Sequence, residues 1–114
     1  MLVLRSSSWM SPILLRIKRC CLTKHVVFTS KAQDERVASS LSEDDVIEAV
    51  VNAPVIYKTL RSRSPRRVRR MERLYVVVGI THEGIIVYTK GALRQEQGEE
   101  HFYIFVSAKR AIED

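Results

Sequence analysis

LYVVVGITHEGIIVYTKG (Leu74–Gly91) reads as two strands around a tight turn. The β-branched and aromatic runs LYVVVGI and IIVYTKG flank Thr81–Gly84, and Gly84 can take the positive φ that such a turn needs. Period-two alternation from Ile85 to Lys90 puts Ile86, Tyr88 and Lys90 on one face and Ile85, Val87 and Thr89 on the other. Tyr88 and Lys90 therefore share a face.

Directly upstream lies TLRSRSPRRVRRMER, in which residues 61–73 carry seven arginines against the single acid Glu72. A solvated tail can sit anywhere, but this tract is internal. If it joins the second and third strands, a strand on each side holds it at the lip of the sheet. Pro65 stiffens it further by fixing φ. Without this stretch and the first 25 residues, which hold five basic groups and no acid, the chain would be acidic. Such segregation of the formal +6 charge favours a polyanionic partner for one surface.

The remaining elements follow from punctuation. HVVFT (His25–Thr29) and VIYKTL (Val55–Leu60) read as strands, as does HFYIFVSA (His101–Ala108) after the polar loop ALRQEQGEE. Ser30 and Gln33 have capping-box spacing and open a helix through KAQDERVASS. A second start follows at Ser42, where Glu43, Asp44 and Asp45 complement the helix dipole and Leu41 can staple onto Val46. Val46, Ile47, Val50 and Val51 form one apolar face, and Pro54 stops the helix. The order β-α-α-β-β-β-β predicts an α+β domain, a mostly antiparallel sheet with two helices packed on one face.

Composition bounds the answer. A chain of 114 residues holds one domain that buries a little over ~60% of its unfolded surface. The apolar and charged fractions, 46% and 28%, are those of a soluble globular protein, and the apolar run Leu74–Ile80 is far too short to span a bilayer. Adjacent Cys20 and Cys21 offer no disulfide framework, which fits a cytoplasmic location, and His25, His82 and His101 are too scattered for a zinc site. Residues 1–24 could be a targeting peptide or an amphipathic arm. The reading adopted is a basic, poorly ordered or mis-started extension over residues 1–24, with the folded domain over residues 25–114.

LSEDDVIEAVVNAP, the hairpin above and the closing FYIFVSAKRA together resemble the uncharacterised BrnT-like toxin family, related more remotely to RelE and MqsR. Ser107, Ala108, Lys109, Arg110 and Ala111 fill the pattern in which the final strand of BrnT-like sequences ends. Over about residues 25 to 111, the resemblance implies a compact RelE/BrnT-like fold. It also implies a toxin of a type II toxin–antitoxin pair, a cognate antitoxin partner and metal-independent cleavage of mRNA with no cofactor.

Such cleavage needs a base for the 2′-OH proton, an acid for the departing 5′ oxygen and cations around the phosphorane. A positioned acid or base contributes ~10²–10⁴-fold and one charge donor ~10²–10³-fold. The candidate catalytic set is Lys90, Lys109 and Arg110 as phosphate and transition-state ligands, with Tyr88 or His82 as proton carriers. The plainer readings are cross-strand packing for Tyr88, a solvated turn for His82 and a strand edge for His101. Arg61, Arg63, Arg66, Arg67, Arg69 and Arg70 suit single-stranded RNA through charge and guanidinium stacking. Their alternatives are a disordered loop or a phosphorylated Arg-Ser segment. A non-catalytic nucleic-acid-binding module uses the same arginines without proton carriers, and a regulatory protein that binds an acidic protein is a third class.

Overall fold

The computed structural model describes residues 11–61, 72–95 and 101–111. The elements are α1 (Pro12–Leu22), β1 (Val26–Phe28), α2 (Ser30–Ala38), α3 (Glu43–Asn52), β2 (Lys58–Arg61), β3 (Arg73–Ile80), β4 (Ile86–Gln95) and β5 (His101–Arg110). The five strands form one sheet in the order β1-β5-β4-β3-β2, with β1 parallel to β5 and every other pair antiparallel. No helix among the described residues is long and apolar enough to cross a membrane.

The β3–β4 hairpin is the sheet's centre. The Thr81 carbonyl accepts from the Gly84 amide, and Gly84 has φ 87°, as the turn requires. Helix α3 starts where the sequence places it: Ser42 Oγ accepts from the Asp45 amide while the Asp45 carboxylate accepts from the Ser42 amide. Val46, Ala49 and Val50 point into the core. The helix backbone lies so close to β3 that a Cβ at Gly79 would collide with the Ala49 carbonyl.

Four features differ from expectation. Three helices are described, not two, because residues 12–22 form α1 instead of a poorly packed extension. Ser11 caps it through the Leu14 amide, Pro12 takes the first turn, and Leu14, Ile17 and Cys21 are fully buried. All three helices share one core cluster with Tyr75, Val77, Val87, Tyr103, Phe105 and Ala108 of the sheet. The cap of α2 is Thr29, whose Oγ1 accepts from the Ala32 amide, so Ser30 is its first helical residue.

The last two differences concern strand length and parity. β4 continues through Ala92–Gln95, which shortens the polar loop, and β5 continues through Lys109 and Arg110. Within β5, Phe105 lies opposite Gly91 but Ser107 opposite Lys90, so Val106 is an inserted residue. Beyond that bulge Ala108 joins the core with Tyr103 and Phe105, and the simple alternation fails. Tyr103 and Phe105 meet edge to face at 5.0 Å, and Phe105 stacks on Phe28 at 4.7 Å.

Candidate functional site

With the three described helices on one face, the other face of the central strands carries Val78, Ile80, Ile86, Tyr88 and Lys109. Register brings Val78 opposite Tyr88 and Tyr88 opposite Lys109. The Lys109 ammonium lies 5.7 Å from the centroid of the Tyr88 ring. This contact depends on the bulge, which turns Lys109 away from the core face that Ala108 occupies.

Around the pair lies a groove of about 510 Å³, bordered also by Tyr57, Val78, Arg110 and Ala111. The Tyr57 amide donates to the Val76 carbonyl at 2.8 Å just before β2, and the residue is 66% exposed. An exposed ring beside a cation is a surface on which a nucleobase can stack. The sequence reading did not single out Tyr57; the signal was an aromatic residue next to Lys58 at the start of a strand. Lys90 is two residues from Tyr88 along β4, about 7 Å away on the same face, and half-buried.

Arg110 and His82 have other engagements. The Arg110 guanidinium donates to the Ser39 carbonyl at 2.9 Å, and its amide donates to Ser39 Oγ at 3.2 Å. It thus caps the C-terminus of α2 while still bordering the Tyr88–Lys109 groove. His82 Nε2 lies 3.0 Å from a Glu48 carboxylate oxygen of α3, while the His82 amide faces the other at 3.3 Å. This contact ties the β3–β4 turn to the helical layer, away from Tyr88.

Of the arginine tract, Arg61 and Arg73 fall among the described residues. Arg61 and Arg73 are direct partners at the open end of the β2–β3 ladder. Like charges directly opposite one another are unfavourable, so an anion bound there would relieve the ladder end. Arg63, Arg66, Arg67, Arg69 and Arg70 lie outside the described residues. From Arg73 to Val78, beside Tyr88, β3 runs about 17 Å. The base of the tract and the Tyr88–Lys109 pair therefore lie toward different ends of one sheet.

Several acids are committed elsewhere. Asp44 pairs with Lys24 at 2.9 Å, and Glu72 forms a two-pronged pair with Arg94 at 2.7 and 3.1 Å. Tyr103 is no proton carrier, because burial pushes its phenol far above the usual range. Comparison with protein families, curated proteins and solved structures gives no significant match.

Proposed function

We propose that this chain is the toxin of a type II toxin–antitoxin pair, a BrnT- or RelE-like endoribonuclease that cuts mRNA in the cytoplasm and is silenced by an antitoxin covering its basic lip. The observation that carries this reading is the placement of Tyr88 beside Lys109 on a sheet face that bears no helix among the described residues, with strands β2 and β3 leading into the arginine tract. The arginines hold the strand by charge, and a base stacks on Tyr57. The 2′-OH attacks the adjacent phosphorus, its proton passes to solvent, and the bond from phosphorus to the 5′ oxygen breaks. The Tyr88 hydroxyl protonates that leaving oxygen and regains a proton from water. Lys109, with Lys90 nearby, neutralises the phosphorane, so the scheme calls for no metal ion. The products are a 2′,3′-cyclic phosphate and a 5′-OH.

Purified, antitoxin-free chain incubated with mRNA and excess chelator should yield those two termini. Arrest by chelator, or ends bearing a 5′-phosphate, would contradict the scheme. The engagement of Arg110 with Ser39 and of His82 with Glu48 favours a second reading, a nucleic-acid-binding module without catalysis. Tight RNA binding without any cleavage would establish it.

A further inference from the structure

Two hollows adjoin along the exposed side of α1, well away from the Tyr88 groove. One, of about 380 Å³, is bordered by Arg16, Arg19, Cys20, His25 and His101. The other, of about 340 Å³, is bordered by Arg16, Glu72, Arg73, Arg94 and His101. Arg16 and His101 belong to both, so the hollows form one cleft.

The fold imposes this arrangement. Burial of Leu14, Ile17 and Cys21 fixes the rotation of α1, and Arg16 and Arg19, three residues apart, must then face outward together. Among the described residues Arg16, Arg19 and Arg73 form no ion pair, and the one carboxylate that lines the cleft, Glu72, is already answered by Arg94. His25 Nδ1 is 3.0 Å from Thr23 Oγ1, which holds the ring at the rim. Arg73 is also the residue opposite Arg61, so the second hollow borders the β2–β3 end from which the arginine tract departs.

We infer that this cleft is a nucleotide subsite for single-stranded RNA. The base enters the first hollow against the guanidinium groups of Arg16 and Arg19 and the two imidazoles, and the following phosphate lies between Arg16 and Arg73. Each hollow has ample room for one nucleobase or one phosphate group, and flat cationic groups at the walls suit a π-face better than the carboxylates of an acidic peptide. The inference rests on RNA as the substrate class, but not on cleavage.

The test uses the full chain and an oligouridylate of about eight nucleotides, 2′-O-methylated so that it cannot be cut. Its titration is followed by the ring-proton NMR signals of His25, His82 and His101, assigned with single His→Gln variants. The signals of His25 and His101 should move while that of His82, tied to Glu48, stays. Uridine 3′-monophosphate should move the same two signals more weakly, and inorganic phosphate alone should move His101 most. Joint replacement Arg16→Gln and Arg19→Gln, both on the exposed side, should leave melting unchanged and weaken the oligonucleotide about tenfold. Binding that leaves His25 and His101 unmoved, or equal affinity in the double variant, overturns the subsite. Failure to bind, or movement of these signals by an acidic peptide but not by the oligonucleotide, overturns it also. Absence of cleavage in parallel samples of unmodified RNA would remove the nuclease reading and leave the subsite standing.

Discussion

Glu35 of α2 accepts a 2.7 Å hydrogen bond from Ser107 Oγ in β5, and the same oxygen accepts from the Ala108 amide at 3.0 Å. These bonds sit at the bulge that sends Lys109 toward Tyr88, so a carboxylate in the helical layer holds the geometry of the opposite face.

Burial alone would raise the Glu35 pKa, but hydrogen bonds from Lys31, Ser107 and Ala108 outweigh it and bring the carboxyl from its ordinary 4.5 to about 2. The folded value is below the unfolded one, so the stabilisation is complete above about pH 4.5 and is lost as pH falls toward about 2. The side chain is 21% exposed, and the effect is up to about 3 kcal/mol. Melting temperature measured across that window should fall steeply for the native chain and distinctly less for Glu35→Gln. Parallel curves would show that Glu35 is not the acid-sensitive clasp.

Helix α1 is a core element. Ile17→Ala should cost about 2–5 kcal/mol, and deletion of residues 1–24 should lower the melting temperature by at least about 10 °C or prevent folding. A truncated chain that melts like the full one would contradict the packing of Leu14 and Ile17.

Cys21 is fully buried, and burial, reinforced by Cys20, pushes its thiol up to about 12. At neutral pH, iodoacetamide should modify Cys21 only after denaturant is added. Labelling of native protein at the rate of a free thiol would mean that α1 does not stay docked.

RNA binding through the arginine tract should be strongly salt-dependent. About four neutralised phosphates give a slope near −3 in log K against log salt, and replacing Arg66, Arg67, Arg69 and Arg70 by Gln should flatten it without changing the melting temperature. Affinity indifferent to salt would remove phosphate contacts from the account.

Local patterns were legible wherever one rule acted alone. The hairpin around Gly84 and the reciprocal cap of Ser42 and Asp45 follow from neighbouring residues, and the α+β class follows from element order. Helix α1 was hidden because its apolar positions, Leu14, Ile17, Cys20 and Cys21, stand among exposed arginines in an acid-free stretch that reads as a tail. Thr29 outcompeted Ser30 as a cap because both are good capping residues and only the strand's end decides between them. The bulge at Val106 is set by pairing across strands and has no signal within β5, so alternation alone puts Lys109 on the core face with Phe105 and misses its turn toward Tyr88. Candidate residues were therefore identified one at a time more readily than their grouping. Tyr88 and Lys109 meet, Arg110 borders the same groove with its guanidinium held by Ser39, and His82 is held by Glu48.

The central claim is that Tyr88 and Lys109 carry out proton transfer and charge neutralisation on RNA. Its most direct test is single-turnover cleavage of a defined RNA by the native chain and by Tyr88→Phe, which removes one hydroxyl and leaves the ring beside Lys109. The account predicts a loss of about 10²-fold or more in the cleavage rate, with RNA affinity and melting temperature unchanged. A Tyr88→Phe chain that cuts RNA as fast as the native one would contradict it.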